Sequence, residues 1–114
     1  EALMERLQLK TMFMTVLDML DMAKRALDEE NPDLATSVLA KDNLLDDINS
    51  AVTPILADYL GEHPDDRLTC LNLVSVFRKL ERAGDHITNM AEEIIFFVNA
   101  KVLKHQGNTD EHYI

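Results

Sequence analysis

The chain has 114 residues, enough for one domain around a single core. With 46% hydrophobic residues, it is too apolar for a disordered segment. A net charge of −10 argues against nucleic acid and anionic membrane surfaces as partners and suits a metal cation or a basic protein surface.

One cysteine, Cys70, excludes an intramolecular disulfide and a cysteine-built metal cage, and it fits a reducing cytosol. No signal peptide is expected, and no apolar run reaches the roughly 20 residues of a membrane span. Few Gly and Pro, no Trp and many Leu, Met, Ala, Asp and Glu point to helices.

The spacing predicts a first helix from about Leu3 to Glu30. Leu9, Phe13, Val16, Leu20, Ala23 and Leu27 recur at three- and four-residue steps, with Leu3, Leu7, Met14 and Leu17 as a second apolar line. A double line implies a helix seated on two neighbours. Met4, Met12, Met14, Met19 and Met22 are read as core rather than as a sticky partner surface.

Asp28 to Asp33 is the first break, and Asn31-Pro32 is a good helix start. A second helix is predicted from Pro32 to Leu60, with a core line of Leu34, Val38, Leu45, Ile48, Val52 and Leu56, bent at Pro54. Gly61 is expected to stop it, in the break Gly61-Glu62-His63-Pro64.

A third helix is expected to begin near Asp65-Asp66, where acids suit the dipole, and to end near Lys104-His105. Its line is Leu73, Phe77, Leu80, Gly84, Ile87, Ala91, Ile95 and Val98. Residues 106–114 read as a flexible C-terminal tail after a 1–105 domain. Short breaks join antiparallel neighbours, so the expected fold is all-α, an up-down-up three-helix bundle.

The chemistry-bearing feature is acidic. At about 100° per residue, Glu81, Asp85 and Glu92 fall within about 40° of one another beside the core line of the third helix. Asp42 and Asp46, one turn apart with Asn49 on the same face, do the same on the second helix. Packed antiparallel, the two lines could meet and offer oxygen ligands to a metal.

Spacing alone leaves ordinary surface charge open, because 21 acids give about four pairs at i and i+4 by chance and the chain has six. Arg78 and Arg82 could also satisfy some of these acids as ion pairs. His86 falls off the carboxylate line and reads as solvent-facing, and Cys70 as a small buried residue. No catalytic triad, phosphate loop or Gly-rich fingerprint occurs. Gly84, in mid-helix on the core face, is expected to let a neighbouring helix or an ion come close.

The stretch Leu80-Glu81-Arg82-Ala83-Gly84-Asp85-His86-Ile87-Thr88-Asn89-Met90-Ala91-Glu92-Glu93-Ile94, followed by Val102-Leu103-Lys104-His105, closely resembles the PhoU family of phosphate-uptake regulators. That family carries an acid, three residues and Asp on two helices of each three-helix repeat. Glu81-xxx-Asp85 and Asp42-xxx-Asp46 match the two copies.

The same-face pairs and the resemblance together imply metal ligation by Asp42, Asp46, Glu81 and Asp85, and Glu92 and Asn89 are candidates for additional ligands or for bonds to the ligands. The metal expected is iron, including multinuclear clusters, with zinc, nickel, manganese and magnesium left open. The resemblance also implies a cytoplasmic, non-enzymatic negative regulator of phosphate uptake and starvation signalling, acting through a phosphate transporter ATPase and a sensor histidine kinase.

Family members normally carry two repeats and this chain has one. It therefore reads as the C-terminal repeat of a longer protein or a one-repeat variant, expected to self-associate or dock on a missing repeat. A cytosolic regulatory domain of a sodium–phosphate cotransporter is a second parent. A plain helical interaction module and a di-metal carboxylate enzyme are the competing classes. The enzyme class expects Glu-x-x-His pairs, which the third helix lacks near Glu81 and Asp85.

Overall fold

Apolar residues at alternating three- and four-residue steps set the packing face of each long helix. The computed structural model describes residues 2–110, with side chains to His105. The helices are α1 (Ala2–Leu7), α2 (Leu9–Glu29), α3 (Pro32–Glu62) and α4 (Arg67–Asp110), with a 3-10 turn at Pro64–Asp66. α2, α3 and α4 pack on one another as an all-α bundle 74 Å long and 20 by 16 Å across.

On α4 the seam is Cys70, Leu73, Phe77, Leu80, Gly84, Ile87, Ala91, Ile94 and Val98, all buried except the half-buried Leu80. These steps of three and four are the 3.5-residue repeat of coiled-coil packing. Ile94 occupies the place expected for Ile95, which is half-buried beside it. On α3 the buried residues are Ala35, Val38, Leu45, Ile48, Val52 and Leu56, with Leu34 half-buried, close to the expected line.

α2 differs most. Its buried residues are Met12, Thr15, Val16, Met19, Ala23 and Ala26. Phe13, Met14, Leu17, Leu20 and Leu27 are each about half exposed. The apolar arc of α2 is wider than one core face, and small Ala23 and Ala26 are the residues that permit close approach. The expected line through Phe13, Leu20 and Leu27 therefore sits on the outer flank. Met12 and Met19 are wholly buried and Met4 and Met22 partly so, as a core reading requires, whereas Met14 is outside.

The first helix is also two helices. Gln8 adopts the left-handed conformation, φ 60° and ψ 39°, between α1 and α2. That costs a non-glycine residue about 1–2 kcal/mol. It is offset by burial of Leu7 and by Arg6, which donates to Asp58 of α3 at 3.0 Å. The bend opens a notch lined by Met4, Gln8, Leu9, Phe13 and Met14.

At the other end, Glu30 is left-handed, and the N–H groups of Glu30 and Asn31 donate to the carbonyls of Leu27 and Ala26. Asn31 Oδ1 then accepts from Leu34 N at 3.1 Å and caps α3 as expected. Lys101 Nζ donates to Glu30 at 2.6 Å and fastens this corner to α4.

α3 runs unbroken through Pro54, whose exposed position leaves the lost hydrogen bond to water. It also runs through Gly61 and ends at Glu62, two residues later than expected, with His63 as its C-cap. His63 precedes Pro64, which disfavours helical backbone before it, and takes φ −132° and ψ 66°. Asp65 and Asp66 lie in the 3-10 turn rather than in α4, and Asp66 accepts from Tyr59 Oη at 2.6 Å. α4 continues past His105 to Asp110, and residues 111–114 of the expected tail lie outside the described residues.

Candidate metal centre

Two seam positions on α3 carry polar residues. Continuing Ala35, Val38 by steps of four and three reaches Asp42, Leu45, Asn49, Val52 and Leu56. Asp42 and Asn49 thus occupy places where an apolar side chain would normally seat, and both are half-buried. Opposite Asp42, α4 supplies Gly84. A Cβ built there would collide with Leu45 Cδ1 and lie 3.5 Å from Asp42 Oδ1. The missing side chain lets α3 close in and leaves the carboxylate facing backbone.

Asp42 Oδ1 is buried and has no hydrogen-bond partner, and neither has Thr88 Oγ1, one turn along α4 from Gly84. Leaving such groups unpaired costs about 1–3 kcal/mol each, more for charged ones. Burial first, then the charges of Asp46 and Asp85, hold the Asp42 carboxyl above its ordinary range. Burial first also raises Glu81, with Asp85, Asp46 and Asp42 adding to it and the Asn49 side chain opposing.

The two helices therefore bring Asp42, Asp46, Glu81 and Asp85 into one mutually repelling group. Asp46 and Asp85 are exposed, and Asp42 and Glu81 half-buried. Glu92 is exposed, two turns beyond Asp85, and does not act on Asp42 or Glu81. Asn89 lines a separate groove with Leu27, His86 and Met90. His86 is exposed and Cys70 buried, as expected.

Arg78 and Arg82 do not neutralise the group. Among the described residues, the ion pairs are Arg6–Asp58, Lys24–Asp28, Arg25–Glu29 and Lys101–Glu30. Both arginines are exposed, and water competes well for a flexible surface guanidinium.

Among the described residues, no three His, Cys, Asp or Glu side chains close around one point. Assembling ligands takes rotation of the exposed Asp46 and Asp85. The donor chemistry fits a hard cation, with carboxylate oxygens only and a buried unpartnered Oδ1 beside Gly84. Thr88 escaped sequence reasoning, although its place four residues after Gly84 was available as a signal.

The raised carboxyls make a pH prediction for metal-free protein. A folded-state pKa above the unfolded one means that the folded chain holds its proton longer. Stability from Asp42 and Glu81 is then greatest in acid and falls as pH rises through the ordinary carboxylate range to the raised values. Asp42→Asn should raise the unfolding midpoint at pH 7 in chelator and shrink the difference from pH 4.5. Thermal unfolding of both proteins across pH checks this, and an unchanged pH profile in the variant contradicts it.

The PhoU domain matches residues 9–94, three-quarters of the chain and all four carboxylates. The chain belongs to the PhoU family. The PhoU homolog 1 of Thermotoga maritima, described as a phosphate-specific transport system accessory protein, is 31% identical over 97 residues, 85% of this chain and 42% of that protein. The PhoU homolog of Pseudomonas aeruginosa, so described too, is 35% identical over 91 residues, 77% of this chain and 38% of that protein. That of Deinococcus radiodurans is 28% identical over 97 residues, covering 85% and 46%.

The chain thus spans about two fifths of the length of the PhoU relatives it matches. No solved structure matches it. Among the described residues, no helix is long and apolar enough to cross a membrane.

Proposed function

We propose that this PhoU domain is a metal-binding regulatory adaptor whose parent protein restrains phosphate uptake and phosphate-starvation signalling, without catalysing a reaction. The observation that carries the reading is the carboxylate group around Gly84, with Asp42 Oδ1 buried and unpartnered inside a PhoU domain. The names of the relatives support the phosphate connection.

Asp42, Asp46, Glu81 and Asp85 would hold the ion, with Asn89 and Glu92 reachable only by a further ion or through water. A bound hard cation would relieve the repulsion among the carboxylates and offer open positions to oxygen ligands. Iron is the metal we favour, manganese and magnesium sharing its taste for oxygen. The acidic surface, at net −10, would steer the domain to basic patches on a transporter ATPase or a sensor kinase in the cytoplasm.

The test replaces Asp46 and Asp85 together by Asn in the parent gene. Both side chains are exposed, so helicity should persist while metal content of protein purified without chelator falls to background. Starvation reporters should switch on in phosphate-rich medium. Unchanged metal content sinks the metal assignment. Silent reporters in a strain that has lost the whole parent gene sink the regulatory one.

A further inference from the structure

α2 carries two apolar lines side by side. The buried one, from Met12 to Ala26, faces inward, while Phe13, Leu20 and Leu27, seven residues apart, stay about half exposed. α4 repeats the pattern. Val76, Met90 and Phe97 are exposed at multiples of seven residues, outside its buried seam. Leu27 lines one groove together with Met90 and Ile94, so the two outer lines flank the space between α2 and α4. Two uncovered apolar lines along one groove make a contiguous patch of the kind that marks an interaction surface.

Charges edge this face. On α2 the edge carries Lys10 and Asp21, and on α4 it carries Arg82 and Glu93, with Lys79 and His86 grouped beside Arg82. All are exposed, and among the described residues none of Lys10, Asp21, Arg82 and Glu93 makes an ion pair. Lys10 and Asp21 are eleven residues apart, and so are Arg82 and Glu93. Eleven residues make three turns, about 16 Å, so each pair shares one edge of its helix. On both helices the order is cation first, then acid.

We propose that this face pairs with a second copy of the chain, the two α2 helices lying antiparallel across a two-fold axis close to Leu20. Reversed, the α2 edge sets Asp21 of one copy against Arg82 of the other, and Lys10 against Glu93. The spacing is equal on both helices, so both pairs form at once. A parallel arrangement would set Lys10 on Arg82 and Asp21 on Glu93, like against like. Leu27 lies level with Met90, so this antiparallel register brings Leu20 to the centre, facing its own symmetry mate. The pairing needs no metal and stands apart from the carboxylate group on the α3 side of α4.

Sedimentation of the 114-residue chain in chelator tests it. Two chains of net −10 repel at a distance, so the buffer holds about 0.15 M salt, which screens beyond about 8 Å. The chain should sediment as a dimer at about 100 μM, and Leu20→Asp should give a monomer whose circular dichroism is unchanged. Arg82→Glu and Lys10→Glu should each weaken the dimer about tenfold, because every contact occurs twice in a two-fold pair. Arg82→Glu with Asp21→Arg, and Lys10→Glu with Glu93→Lys, should each recover most of that loss. Arg78→Glu, on the α3 side, should change nothing.

A wild-type monomer at this concentration overturns the proposal and leaves the face to a different partner. A dimer indifferent to Leu20→Asp overturns the choice of face. Single reversals that no second reversal rescues overturn the antiparallel register.

Discussion

Phe77→Ala should cost about 3–5 kcal/mol, the usual loss for emptying a fully buried aromatic site. Phe77 is wholly buried and is the largest of the fully buried side chains. It lies on the α4 seam one step before Leu80 and two before Gly84, in the same apolar cluster as the buried residues of α2 and α3. The seam repeats every 3.5 residues, so rigid helices cannot collapse at one layer without moving the layers on either side.

Against a typical total of 5–15 kcal/mol, such a loss leaves a marginal bundle. Urea unfolding should show an earlier midpoint with little change in slope, and Phe77→Leu should recover most of the loss because it keeps much of the volume. A loss below about 1 kcal/mol for the alanine variant would mean that α4 is not seated on this residue.

Gly84→Val is the second large effect. Any Cβ at Gly84 meets Leu45, whose side chain is fully buried, and sits against Asp42 Oδ1. Overpacking of this kind costs about 1–3 kcal/mol, and a branched side chain puts the result toward the upper end. Gly84→Ala is milder, because the gain of about 1 kcal/mol in helix propensity offsets part of the collision.

Shortening the opposing residue by Leu45→Ala should make the two changes non-additive, the double variant losing less than the sum of the singles. Gly84→Val should also lose metal uptake at temperatures where circular dichroism shows it folded, since the added side chain pushes α3, and Asp42 with it, away from α4. Full stability, together with full uptake, would show that the close approach of α3 is not used.

The two effects differ in what they report. Phe77 tests packing that any bundle needs. Gly84 tests a position where local preference has been given up: a glycine in mid-helix and an aspartate in a seam are each unfavourable, and together they face one another across α3 and α4. Departures from local rules that compensate one another in space mark a site better than either does alone.

The sequence by itself determined the three long helices, their order and most of the α3 and α4 cores, because turn chemistry at Asn31-Pro32 and Pro64 and apolar spacing are local properties. It also determined that Asp42, Asp46, Glu81 and Asp85 share faces, since one turn of helix fixes that. The face of α2 was decided by tertiary packing. Its apolar arc is wide enough for two registers, and Ala23 and Ala26 win the interior because their size lets three helices approach, leaving Phe13, Leu20 and Leu27 outside.

Tertiary contact likewise bent the chain at Gln8, where no local signal stands, and Leu7 and the Arg6–Asp58 pair hold α1 against α3. It also converted two separate acidic turns into one group. Repulsion between Asp42 and Asp85 exists only because Gly84 lets α3 come within reach, a distance between helices that no spacing along one helix encodes.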